Sequence, residues 1–274
     1  MKIALLFIGT GKYSIFWEGF FTSAEQYFIP AAQKEYFVFT DDAALPYKND
    51  PKVHVYHQER LGWPYDTLMR FSIFYRAEKA LRGFDYIFFF NANAEFIRPI
   101  SAGEILPGLE HNGLTVVLHP GYYNKPAGKL PYERSRKSTA FMPRSGRQQY
   151  FQGCLNGGTG AAYMQLVETL MNNTQADLDR GIIAVWHDES HLNSYMAGRH
   201  PKVLTPAYAY PEGWELPFTP AISMRDKARF GGHGFMRQIA PEQEKTLLQR
   251  VIRRLKRLFS CVLFPALIFS ANTF

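Results

Sequence analysis

The run Phe84-Asp85-Tyr86-Ile87-Phe88-Phe89-Phe90 constrains this chain more than any other segment. It is far shorter than the roughly 20 apolar residues needed to cross a bilayer. It also lacks an apolar–polar alternation, so neither face of a strand built from it could meet water. Such a run belongs in a sheet covered on both sides, the usual setting of a central parallel strand. Ile3–Ile8, Glu35–Thr40 and Val53–Tyr56 read as further short strands. Tyr13–Phe28, Thr67–Arg82, Thr159–Asn172 and Ile182–Met196 carry apolar residues at helical spacing. Strands alternating with helices predict an α/β fold with a doubly wound sheet. Gly103–Gly160 is rich in Gly, Pro, Arg and Tyr and is expected to form short strands and long loops around a binding site. Pro201–Gly234 is expected to wrap the cleft, and no internal repeat is present.

Ligands of α/β sheets gather at the carboxyl ends of the strands. Gly9-Thr10-Gly11-Lys12 follows the first strand without the spacing of a Walker loop or a full dinucleotide fingerprint, so it is either a plain turn or a nucleotide contact. Asn91-Ala92-Asn93 follows the aromatic strand directly. Side chains two positions apart project to the same side of an extended segment. These two are neutral amides, which would hold a hard cation weakly. Taken alone, the segment reads rather as a turn capped by Asn.

The densest group of reactive side chains is Trp186-His187-Asp188-Glu189-Ser190-His191. His187 and His191 would share a helix face, as in a zinc protease. The protease motif, however, needs Glu directly after the first His, and here Glu189 comes one position late, about 100° further round a helix. The cluster reads as a functional site rather than a zinc centre.

Composition narrows the partners. The formal net charge is +7, but six basic residues lie between Lys245 and Arg257, and the remainder is close to neutral. Nucleic acid is therefore not expected, whereas a phosphorylated small molecule or a membrane surface fits. The aromatic content of 16% suits both a full core and a cleft whose rings stack on sugars and bases. The two cysteines, Cys154 and Cys261, form no disulfide framework, and the start of the chain carries no cleavable signal. A cytoplasmic catalytic body is the expectation.

Several segments acquire meaning as an ordered set. Gly9–Tyr13 (GTGKY), Phe21–Phe28 (FTSAEQYF), the Asn-x-Asn after the aromatic strand, His119–Tyr123 (HPGYY), Tyr132–Arg134 (YER), Gly157–Gly158, Trp186–Asn193 (WHDESHLN) and Leu204–Tyr208 (LTPAY) resemble glycosyltransferase family 6. That family includes the blood-group A and B transferases, the α-1,3-galactosyltransferase and bacterial relatives. The register runs from Met1 to about Arg237, and WHDESHLN is its most specific part.

The resemblance implies a GT-A fold, a single α/β nucleotide-sugar transferase domain over residues 1–237 with a mixed central sheet. It implies transfer of galactose or N-acetylgalactosamine from UDP to O3 of an acceptor galactose, with retention of configuration. Ile8, Gly9, Thr10 and Tyr13 match uridine-binding positions, Arg70 a basic residue near the donor, and His187 and Asp188 groups that hold the donor sugar. Glu189 matches the catalytic carboxylate, which could act as nucleophile or as stabiliser of oxocarbenium charge. Asn91 and Asn93 stand where animal members carry Asp-x-Asp. Bacterial relatives share the Asn form and work without metal, so no metal or other cofactor is expected. Lys227 matches a lysine that approaches the diphosphate and would offset its charge.

For the acceptor, His119 in HPGYY matches the blood-group enzymes and implies a fucosylated galactoside, Fucα1-2Gal. Trp186 and Glu212 are the other implied acceptor contacts, while Pro131 replaces an acceptor-contacting Thr. Gln152-Gly153-Cys154 matches the triplet that separates the two donor sugars by bulk, and Cys154 leans towards plain galactose. Two rival readings stay open at this level: a non-catalytic carbohydrate-binding protein and a zinc hydrolase on His187 and His191.

Beyond the resemblance, residues 238–274 form a separate unit. Leu247, Leu248, Val251, Ile252, Leu255, Leu258, Phe259 and Val262 would fall on one helix face and the arginines and lysines on the other. This is the pattern of an in-plane anchor on an anionic membrane, peripheral on the inner face; a helix packed on the catalytic domain is the alternative.

Overall fold

Strand β1 (Lys2–Ile8) is completely buried from Ile3 to Phe7, as a strand covered on both faces must be. The computed structural model describes residues 1–144 and 149–237; the expected tail, 238–274, lies outside the described residues. After β1 the chain makes a 3-10 turn (Gly11–Phe16) into α1 (Trp17–Tyr27), then β2 (Gln33–Thr40) and β3 (Val53–His57). Three short helices follow, α2 (Tyr65–Leu68), α3 (Arg70–Tyr75) and α4 (Glu78–Leu81), leading to β4 (Tyr86–Phe90) and β5 (Ala94–Phe96). Beyond α5 (Ala102–Ile105) come β6 (Leu114–Leu118), β7 (Phe151–Thr159), α6 (Gly160–Leu178), α7 (Asp188–Met196) and β8 (Lys202–Leu204). The described chain closes with β9 (Tyr210–Pro211), β10 (Ile222–Met224) and α8 (Gly232–Met236).

Seven strands form one mixed sheet in the order β3-β2-β1-β4-β7-β6-β8. All neighbours are parallel except β7, which runs antiparallel to both β4 and β6. The expectation of a central strand holds for the aromatic run, with one correction: β4 pairs parallel with β1 on one side and antiparallel with β7 on the other. Its missing alternation follows from two apolar layers. Phe88 and Phe90 pack with Trp17, Phe20 and Phe28 on one side of the sheet. Ile87 and Phe89 pack with Phe71, Phe74, Tyr163 and Leu166 on the other.

All four expected helices differ in extent, Thr159–Asn172 running on to Leu178 as α6. Tyr13–Phe28 starts as a 3-10 turn after Gly11, whose φ is +55°. Thr67–Arg82 is broken at Met69 and Ala77, both with ψ near zero. Ile182–Met196 is helical only from Asp188, because a left-handed Gly181 (φ +67°) closes the end of α6 and the apolar Ile183 and Val185 stay exposed, with no core to face.

Two features of the sheet create the site. The chain order reverses between β1 and β4, so a crevice opens beyond their carboxyl ends. The antiparallel β7 brings its beginning to the same edge, and there it carries a bulge. Val116 pairs with Asn156 but Val117 with Gln152, leaving Gly153, Cys154 and Leu155 unpaired to β6. The backbone of Gly153 is thereby free for other partners.

Candidate active site

A cleft of about 300 Å³ opens at this edge. The end of β1 supplies Ile8 and Thr10, with Tyr13 from the turn that follows; the end of β4 supplies Asn91 and Asn93. The bulged start of β7 contributes Gln152, Gly153 and Cys154, and the entry to α7 contributes Trp186, His187, Asp188 and Glu189. Arg70 and Lys227 complete the expected residues that share the cleft.

Arg70 organises the floor. It is buried, and its Nη1 donates to the Asp188 Oδ2 at 2.6 Å and to the Gly153 carbonyl at 2.6 Å. Its Nη2 donates to Asn91 Oδ1 at 3.3 Å, and its guanidinium lies 4.2 Å from the centre of the Phe89 ring. Nε is buried without a hydrogen-bond partner among the described residues. Burial raises the Asp188 pKa and Arg70 opposes it, leaving Asp188 as the counter-ion of Arg70.

Glu189 sits in the first turn of α7, where the helix dipole favours negative charge. Its Oε2 accepts from the Gly153 N–H at 2.7 Å. Burial nevertheless pushes its pKa up to about 7. A Cβ at position 153 would lie 3.1 Å from Asp188 Oδ2, tighter than normal contact, and 3.4 and 3.5 Å from Arg70 Nη1 and Glu189 Cβ, so Gly gives the Asp188 carboxylate room beside the strand. His187, just before the helix, has φ +53°, a conformation costing a non-glycine residue about 1–3 kcal/mol. The Trp63 ring packs edge-on against it at 4.8 Å.

Lys227 projects from the loop after β10, 5.3 Å from the centre of the Tyr13 ring. Burial, with Arg237 and Arg70 nearby, lowers its pKa to about 8. No carboxylate lies within 4 Å of Lys227, Arg60 or Arg237 among the described residues, although all three line the cleft. The cleft thus offers uncompensated cations to an anionic ligand.

Asn91 and Asn93 lie in a turn, as the segment taken alone suggested, closed by the Ala94 N–H on the Asn91 carbonyl. The Asn93 amide donates to the Arg225 carbonyl at 2.8 Å and so anchors the loop that carries Lys227. His187 and His191 do not share a helix face, since His187 precedes α7. His191 is 1% exposed and turned towards Asp177, its Nε2 3.8 Å from the carboxylate. No group of three His, Cys, Asp or Glu side chains is placed to hold a metal ion among the described residues, and His187 and His191 do not stand as an i, i+4 pair on one helix.

Three expected residues lie off the cleft wall. Gly9 is built into the sheet, its N–H on the Phe39 carbonyl and its own carbonyl accepting from Thr40 Oγ1. His119 packs against Tyr122 and Tyr150 at 4.7 and 5.9 Å, and burial lowers its pKa to about 4. Glu212 accepts from the Asp226 N–H at 2.7 Å and pairs with Arg229, bracing the Lys227 loop. Conversely, Arg60, Trp63, Asp66, Thr67 and Arg237 line the cleft without any short motif to mark them.

Comparison with known proteins gives these features a context. The profile of glycosyltransferase family 6 matches residues 1–225. The O-antigen biosynthesis glycosyltransferase WbnI of Escherichia coli is 36% identical over 234 residues, covering 85% of this chain and 98% of that protein. The human globoside alpha-1,3-N-acetylgalactosaminyltransferase 1 is 30% identical over 220 residues, and the rat histo-blood group ABO system transferase 1 is 30% identical over 223. Each of these two aligns with 77% of this chain, which spans only 61% and 62% of their respective lengths. The seven-stranded mixed sheet is consistent with the GT-A fold of such enzymes. The chain belongs to glycosyltransferase family 6.

Proposed function

We propose that this glycosyltransferase moves galactose or N-acetylgalactosamine from its UDP ester to O3 of an acceptor galactose, with retention of the α configuration. The carrying observation is Glu189: a half-buried carboxyl gripped by a backbone N–H, in a cleft otherwise rich in unpaired cations. Cations suit a diphosphate, and a carboxylate suits the positive charge that develops at a departing anomeric carbon. In the reaction the bond from C1 to the β-phosphate oxygen breaks and UDP leaves with the electron pair. The acceptor O3 bonds to C1, and its proton passes to the departing phosphate. Glu189 either bonds transiently to C1 from the opposite face or stabilises the cation while O3 enters from the face UDP has left.

The acceptor proposed is a fucosylated galactoside, on the HPGYY resemblance and the exposed Trp186 at the rim. Incubation with each UDP-sugar and 2′-fucosyllactose, with the product linkage read by NMR, tests donor, acceptor and stereochemistry together. No UDP release from either donor would return the chain to the carbohydrate-binding reading.

Metal independence is proposed on donor chemistry. Asn91 Oδ1 already accepts from the Arg70 cation, and Asn93 spends an amide N–H on the Arg225 carbonyl. Two neutral amides so engaged are poor ligands for a hard cation. Transfer should therefore persist in EDTA, and strict dependence on added manganese would refute the proposal. Lys227→Ala should lower turnover by more than about tenfold, because the ammonium meets charge that grows as UDP departs.

The pH profile follows from the two shifted groups. Glu189, raised to about 7, must lose its proton to act, so kcat/KM should fall as pH drops through that value. Lys227, lowered to about 8, must keep its proton, so kcat/KM should fall again above it. In kcat the alkaline limb should move upward, since bound diphosphate favours the charged ammonium. A flat profile across both values would remove both assignments.

A further inference from the structure

Tyr150 stands immediately before β7 and is 1% exposed. Its hydroxyl is buried and closes no hydrogen bond of normal geometry among the described residues. A buried donor left unpaired is costly, so its position calls for a reason. The packing of α7 on β7 supplies one. Asn193 accepts from the Phe151 N–H at 2.9 Å and donates to the Phe151 carbonyl at 2.8 Å and the Glu189 carbonyl at 2.9 Å. That strap sits one residue from Tyr150, and the Gly153 N–H that holds Glu189 lies three residues on. The Tyr150 hydroxyl faces the Glu189 carboxyl, whose charge adds to burial in pushing the phenol upward. Behind it the ring is held by Tyr122 at 5.4 Å, Tyr132 at 5.4 Å and His119 at 5.9 Å, which leaves it no route to water.

We infer that Tyr150 is a positioning residue for the proposed reaction, its O–H serving as the second donor to the Glu189 carboxylate. The Gly153 N–H is fixed by the strand, whereas the phenol engages when the carboxylate carries its full charge and slackens when the carboxyl is protonated. The inference rests on the reading of Glu189 as the group that faces the anomeric carbon. The other charged or ionisable groups about Glu189 are Asp188, which opposes its ionisation, Arg70, which favours it, and the neutral thiol of Cys154. Tyr122 faces the phenol itself. All of these remain when the Tyr150 oxygen is removed.

Tyr150→Phe removes that oxygen and keeps the ring. The acid limb of kcat/KM should move up by about one pH unit, the size expected when a carboxylate loses one hydrogen bond. Above the displaced limb the rate should converge on that of the parent protein. A uniform loss at every pH with the limb unmoved would show a packing role only and overturn the inference. A second measurement bypasses catalysis: the protein carrying 13C-labelled glutamate carboxyls is titrated by NMR, with the Glu189 signal assigned by its absence in Glu189→Gln. Its midpoint should rise by the same amount in Tyr150→Phe, and an unmoved midpoint overturns the Tyr150 inference alone. If the midpoint moves but Glu189→Gln still transfers sugar, the hydrogen bond is real. The proposed chemistry of Glu189 then fails, and the positioning role with it.

Discussion

Glu189→Gln is expected to lower sugar transfer by at least about a hundredfold while UDP-sugar affinity stays within a few-fold. The substitution keeps shape, and the amide oxygen can still accept from the Gly153 N–H that now holds Oε2 at 2.7 Å. What it removes is the negative charge, whose value is greatest when C1 is electron-poor and small in the ground state. Loss confined to the transition state lowers kcat and leaves donor binding alone. Single-turnover kinetics beside calorimetric titration of UDP-sugar separate the two. Near-normal transfer in this variant would move the catalytic role elsewhere. A large loss of donor affinity would instead give Glu189 a binding role.

The second large effect is on stability. Arg70→Leu should cost about 3–5 kcal/mol, the usual consequence of removing one partner of a buried ion pair. The Asp188 side chain is only 3% exposed and would be left with no cation. For a protein of this size that corresponds to a melting temperature lower by roughly 10 °C. The pH dependence carries a clear sign. Without Arg70 the Asp188 pKa rises further above its unfolded value, because the one favourable charge is gone. A carboxyl with a raised folded pKa stabilises the fold when protonated, and that stability is lost as pH rises through the folded pKa. Mild acid should therefore partly rescue the variant, and adding Asp188→Asn should recover much of the loss at neutral pH. Calorimetry over a pH series checks this. A variant as stable as the parent at neutral pH would mean that the Arg70–Asp188 pair does not hold the cleft together.

The aromatic strand and the turns at its end were legible because burial on both faces and a switch in chain order leave plain marks in sequence. Trp186–His191 was legible as a functional cluster because His187, Asp188, Glu189, Ser190 and His191 stand side by side. The helix expected over Ile182–Met196 was overlong for a physical reason. Ile182, Ile183 and Val185 fit a helical period, but Gly181 turns the chain and two of the three end in solvent. Trp63, Tyr150 and Arg237 were not found from sequence. Trp63, just before α2, meets His187 across more than a hundred residues, and Tyr150 faces Glu189 through the packing of β7 on α7; such distant partnerships leave no local pattern. His119 and Glu212 were named for the acceptor; the first backs the Tyr150 ring and the second braces the loop of Lys227.

The bulge in β7 bears on how such a cleft can change over evolutionary time. Gln152 resumes the pairing with β6 opposite Val117, while the buried Cys154 lies in the unpaired stretch between Gln152 and Asn156. The ties of this stretch to Arg70 and Glu189 run through the backbone of Gly153. A Cβ at 153 would crowd Asp188 Oδ2 at 3.1 Å and touch Arg70 and Glu189, whereas a change at 152 or 154 alters side chains that line the cleft without breaking those backbone bonds. Exchange of the two outer residues thus reshapes the wall of the cleft while the backbone hold on Arg70 and Glu189 persists, so that pocket shape and charged floor are written in separate positions of one short stretch.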